Sequence, residues 1–114
     1  MTITERSISD IVLLDIDGRI AVQDGALQFG TRLRHALHLG RVNMVLNLSG
    51  VPDIDNTALG ELVRAFATAA QMGGGVKLLH VKRPVRDLLL AAKLLPTLEV
   101  FDDEGDALAS FATA

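Results

Sequence analysis

The chain has 114 residues, 49% of them hydrophobic and 22% charged, with a net charge of −3 and no cysteine. That size and balance suit one globular domain with its own core, and the missing thiols exclude disulfides, thiol nucleophiles and thiolate zinc sites. Net negative charge, four Phe and no Trp or Tyr leave little to attract or stack a nucleic acid, so none is expected as a partner.

The first ten residues, "MTITERSISD", are polar and lack a basic segment followed by an apolar one, so no secretory signal is expected. The longest apolar run, "LLLAA", is far short of a membrane span. A cytoplasmic protein with no direct membrane insertion is the expectation.

Thr2 to Ser7 is polar and β-tolerant, which suits an edge strand. "IVLLDI", from Ile11 to Ile16, is a short branched apolar run and reads as a buried strand. Asp17-Gly18 ends it with turn chemistry. From Gly25 to Leu39, Ala26, Phe29, Leu33 and Leu37 recur at helical spacing, and Gly40 follows as a stop. Met44 to Leu48 is a second buried strand. The next helix carries a predicted apolar stripe of Leu59, Leu62, Val63, Phe66 and Ala70 and ends at Gly73 to Gly75. Val76 to Val81 reads as a strand, and "RPVRDLLLAAKLLP" as a helix begun by Pro84 and ended by Pro96. Its predicted core stripe is Val85, Leu88, Leu89, Ala92 and Leu95, with Leu90 and Leu94 off that stripe as a candidate contact surface. "LEVF" is a last short strand, and the acidic "DDE" favours a helix start before Gly105 to Phe111.

This order, ββαβαβαβα, implies an α/β domain. About five mostly parallel strands would be covered by four helices, with the first two strands close enough for a hairpin.

The triple glycine follows a helix instead of preceding one and lacks a Gly-Lys-Ser/Thr continuation, so it reads as a helix end and not a phosphate cradle. His35 and His38 share a helix face, but Arg32 and Arg34 beside them oppose a cation, and His80 stands alone. A solvated face with no metal is the expectation. Asp15, Asp17, Asp53 and Asp55 lie near strand ends, where open α/β sheets place their sites. They raise the alternative of a small hydrolase with an acidic site, but no nucleophile elbow, Ser-His pair or lysine partner accompanies them. No catalytic residue and no cofactor is assigned.

"DIDNTALG", residues 53–60, is the most informative stretch. Asp55, Asn56 and Thr57 are each good helix N-caps, and one cap suffices. "MVLNLSGVPDIDNTALGELVRAF", residues 44–66, resembles the signature of STAS domains, in particular the stand-alone anti-sigma factor antagonists. "IVLLDIDGRI", "GGGVKLLHVKRPVRDLLLAAKL" and "LEVFDDEGDALASF" resemble the family's flanking segments in the same order, so the resemblance spans nearly the whole chain.

The resemblance implies a regulatory protein-binding module and no enzyme. Such a module sequesters an anti-sigma factor, a serine/threonine kinase or a relative of one, and so releases a sigma factor. Phosphorylation of the hydroxyl residue after the motif's Asp ends the association. That Asp corresponds to Asp55, so the acceptor position is Asn56, which has no hydroxyl. Switching would then run through Thr57 or be absent. The implied contact surface is Asp24, Asp53, Asp55, Asn56, Thr57, Ala58 and Leu59. A STAS subunit of another assembly, a lipid-transport ABC complex or a stressosome, is the alternative within the family, with other STAS-domain proteins as partners.

Overall fold

The computed structural model describes residues 1–112, with Asp24 described by its backbone alone. The elements are β1 (Thr2–Ile8), β2 (Ile11–Asp17), α1 (Ala26–His38) after a short 3-10 turn (Val22–Asp24), β3 (Asn43–Gly50), α2 (Asn56–Gln71), β4 (Gly75–Leu79), α3 (Arg83–Ala91), β5 (Val100–Phe101) and α4 (Glu104–Ala109). The strands form one sheet in the order β1-β2-β3-β4-β5. β1 and β2 are an antiparallel hairpin, and β2 to β5 run parallel. The expected five-stranded, mostly parallel sheet and the order ββαβαβαβα are therefore observed.

Strand side chains alternate between two unequal layers. Val12, Leu14, Ile16, Met44, Leu46 and Leu48 face the main core, beneath α1, α2 and α3. Ile11, Leu13, Val45 and Leu79 face the other way, where the short α4 covers them with Ala107. On that second face Arg6 reaches both Asp15 (2.6 Å) and Glu104 (2.6 Å), and so ties β1, β2 and α4 together.

α2 presents a different stripe from the one its large apolar residues predict. Its buried residues are Ala58, Glu61, Leu62, Ala65 and Ala69. Val63 and Ala70 are exposed, and Leu59 and Phe66 are half-buried. Three alanines let α2 lie close against the sheet and α1, and the larger side chains are displaced to its flanks. Glu61 is buried because Arg34 and Arg64 both reach it, at 2.6 Å and 3.1 Å.

α3 is shorter than the sequence suggests. It stops at Ala91, well before Pro96, because Lys93 takes a left-handed conformation (φ 59). The N–H groups of Lys93 and Leu94 donate back to the carbonyls of Leu90 and Leu89 and close the helix. Val85 and Leu89 are buried as predicted and Leu88 is half-buried, but Ala92 is exposed and Leu95 lies outside the helix. Leu90 is exposed whereas Leu94 packs against the core, so the two do not share one helix face.

Gly73 and Gly74 form the expected helix end, whereas Gly75 already opens β4. Gly73 has φ +85, and the N–H groups of Gly73 and Gly74 donate to Ala70 and Ala69.

Candidate functional site

Parallel strands bring the loops that follow them to one edge of the sheet. Beyond β2 and β3 the two chains keep pairing. Gly18 N–H donates to Gly50 O at 2.8 Å, Ile20 N–H to Asp53 O at 3.2 Å, and Asp55 N–H to Ile20 O at 3.0 Å. A Cβ on Gly50 would lie 2.4 Å from Asp17 Oδ1 and 3.0 Å from Ile16 O, so a larger residue here would displace the exposed Asp17 side chain and crowd the β2 backbone. The β2–α1 loop is thereby stitched to the segment that enters α2.

Asp55 sits at the N-cap of α2 in an extended conformation, φ −100 and ψ 179. Its Oδ1 accepts the Ala58 N–H at 2.9 Å, which satisfies a donor at the helix start. Its Oδ2 accepts the Val22 N–H at 2.8 Å, across to the other loop. These two bonds, first Ala58 and then Val22, hold the carboxyl below the usual carboxylate range, with smaller help from the Thr57 N–H and the Arg19 charge. Asp53 pairs with Arg19 at 3.1 Å, both side chains being about half exposed.

Those contacts account for the acidic residues of the motif and leave the next position open. Asn56 opens α2 and is exposed, and its side chain makes no hydrogen bond among the described residues. Thr57 and Leu59 are half-buried and Ala58 is buried. Asp53 to Leu59 thus lie together around one helix start. Asp24 follows Val22 in the adjoining turn, and its side chain lies outside the described residues.

Two participants were not legible in the sequence. Arg19 and the Val22 backbone lie 34 and 33 residues from Asp53 and Asp55, and no local spacing links them. Of the remaining candidates, Asp17 ends β2 beside Gly50, and the others lie elsewhere. Asp15 is on the α4 side of the sheet with Arg6 and Asn47, and His35, His38 and His80 are exposed. No group of three or more His, Asp or Glu suited to a metal occurs among the described residues.

A strand–loop–helix start with a capping Asp, stitched to the preceding crossover loop on a mostly parallel five-stranded sheet, is the arrangement of a STAS domain. The STAS domain family model matches residues 3–107, and the chain belongs to that family. Comparison with curated proteins by sequence gives no match.

Solved structures of the same fold include a candidate anti-sigma factor antagonist, TM1081, from Thermotoga maritima. It is 21% identical with a TM-score of 0.89, over 97% of this chain and 95% of that one. An anti-sigma factor antagonist from Mycobacterium paratuberculosis is 15% identical with a TM-score of 0.87, over 98% and 94%. The Bacillus anti-sigma factor antagonist SpoIIAA is 14% identical in both forms. The unphosphorylated form has a TM-score of 0.75 over 99% and 100%, and the phosphorylated form 0.77 over 96% and 98%.

Proposed function

We propose that this protein is an anti-sigma-factor-antagonist type of binding module, not an enzyme, and that it docks a kinase-like anti-sigma factor around Asp53, Asp55, Asn56, Thr57, Ala58 and Leu59, with Asp24 alongside. The observation that carries the reading is the geometry of Asn56. It is exposed and directly follows an Asp whose two oxygens are both committed, so the loop is held in shape while its most accessible side chain cannot be phosphorylated.

Thr57 is the one hydroxyl beside it. It stands one residue further along α2, about 100° around the helix axis, and is half-buried. A kinase that reads the first position would meet an amide there. We therefore favour a constitutive binder over a phosphorylation switch. SpoIIAA has this chain's fold in both its unphosphorylated and its phosphorylated form, so a phosphate there adds charge within one fold. Asn56 removes the site of that charge.

The hydrolase alternative is weakened by the state of the carboxylates. A general acid needs a raised pKa, whereas Asp15 and Asp55 are both held below their usual range, Asp15 chiefly by Arg6 and Asp55 by two backbone N–H groups. The missing hydroxyl also suits a STAS subunit of a lipid-transport complex or a stressosome. Genes for a transporter ATPase and permease beside this one would favour the former, and sensor kinases and phosphatases would favour partner switching.

The decisive experiment is a binding assay against the kinase-like anti-sigma factors of the native host. At least one is expected to bind. Asn56→Asp, which places a fixed negative charge beside Asp53 and Asp55, is expected to weaken that complex by about tenfold or more. Binding by none of them, or an unchanged affinity in Asn56→Asp, defeats the assignment of this surface. Mass spectrometry after incubation with the bound kinase is expected to find Thr57 unmodified.

A further inference from the structure

The groove between α1 and α2 is a second concave surface, distinct from the Asp53–Leu59 loop. Its volume is about 450 Å³, within the range of small-ligand sites. Gly30 and Ala65 are among the residues that line it. A Cβ on Gly30 would lie 2.0 Å from Glu61 Oε2, so Glu61 occupies the space the glycine vacates.

Glu61 is buried, with 6% of its surface exposed, and burying a carboxylate is costly without partners. Its partners are the guanidiniums of Arg34 and Arg64, which are 58% and 73% exposed and stand at the groove's rim. Each guanidinium has five N–H donors, more than Glu61 and Thr31 use. Away from the arginines the accessible apolar lining is chiefly Met72 with the edges of Leu37 and Ala65, and Thr68 and His38 also line the groove. From Gly30 to His38 the groove follows α1 for about 12 Å.

Charge sharpens the choice of ligand. α1 carries Arg32, Arg34, His35 and His38 and no acidic residue, and α2 carries only Glu61 and Arg64. Arg32 is paired with Glu5, so at the groove itself the two guanidiniums of Arg34 and Arg64 against the one carboxylate of Glu61 leave a net positive charge. A cationic end joined to a short apolar trough complements a molecule with one anionic head and one narrow tail.

We propose that the α1–α2 groove binds a single-chain amphiphile with a carboxylate head. Its carboxylate takes guanidinium donors of Arg34 and Arg64, and its chain lies against Met72 and the exposed edges of Leu37 and Ala65. Glu61 positions the two guanidiniums when the groove is empty and competes with the incoming carboxylate for them.

The test is calorimetric titration of the purified protein with monomeric decanoate, decanol and decyltrimethylammonium, alongside Arg64→Gln and Glu61→Gln, with folding checked by circular dichroism. Decanoate is expected to bind saturably and the cationic probe not at all. Arg64→Gln, at an exposed rim position, should weaken decanoate by about tenfold, the worth of one charge-assisted pair. Glu61→Gln keeps the side-chain volume, removes the competitor and should tighten it. The proposal fails if neither wild type nor Glu61→Gln binds decanoate, if decanol binds as tightly, or if Arg64→Gln has no effect. Binding to anionic phosphatidylglycerol vesicles without binding to monomeric decanoate would make the face a membrane contact and overturn it as well.

Discussion

Asp55 and Asn56 are neighbours with opposite duties. The carboxylate of Asp55 caps α2 through Ala58 and holds Val22 of the β2–α1 loop, whereas the Asn56 amide is exposed. Stability and binding should therefore separate at this pair. Asp55→Ala removes an N-cap and a cross-loop hydrogen bond and is expected to cost about 2 kcal/mol in urea unfolding. Asn56→Ala should change stability by less than about 0.5 kcal/mol, as a surface substitution without a partner does. Equal losses in the two variants would mean that Asn56 shares in the cap. Sequence alone left three capping candidates side by side. It did not choose among them because the second demand on Asp55 comes from a residue far away in the chain.

At the scale of elements, small residues decide how the pieces fit. The Gly73 to Gly75 segment was legible as a helix end, but its three glycines serve different needs. Gly73 supplies a positive φ of +85, Gly74 lies against β3's approach with a would-be Cβ 2.1 Å from Val42 O, and a Cβ on Gly75 would meet only Phe111 at 3.7 Å. Alanine substitutions should rank accordingly. Gly74→Ala must push backbone aside and is expected to cost more than about 2 kcal/mol. Gly73→Ala should cost about 1 kcal/mol, and Gly75→Ala should be neutral or slightly stabilising. Thermal melts of the three variants check the order, and a Gly75→Ala loss as large as that of Gly74→Ala would refute it. The buried stripe of α2 departs from its hydropathy for a related reason. Hydropathy ranks Leu59, Val63 and Phe66 above alanine, whereas the close contact between α1, α2 and the sheet selects Ala58, Ala65 and Ala69. Nor does hydropathy bury a glutamate, because it does not register Arg34 arriving from another helix.

Over the whole molecule, the alternation of branched apolar runs with helical periods made the topology readable, since each strand and helix is specified locally. The ion pairs that join distant elements were not readable, and they set how stability responds to pH. Asp15, Asp55 and Glu104 all have carboxyl groups held below their usual ranges, Asp15 and Glu104 chiefly by Arg6 and Asp55 by the N–H groups of Ala58 and Val22. A carboxyl whose folded pKa is depressed contributes stability that is complete above its unfolded pKa, near 4, and disappears as pH falls through the folded value. Stability should thus be nearly level from neutral pH to about pH 5 and drop steeply below about pH 4. Asp15 and Glu104 are about one-third exposed, so solvent screening limits the share each supplies. Arg6→Met removes the common cause of two of the three shifts. At neutral pH it should be less stable than the parent, yet lose less on acidification, so that the two unfolding curves converge as pH falls towards about 3. Asp55→Asn, which abolishes the third titration, should narrow the remaining acid loss further. Urea unfolding midpoints for the three proteins across that range measure the convergence. Parallel curves, with Arg6→Met offset equally at every pH, would show that Arg6 acts by packing β1 against α4 and not by its charge.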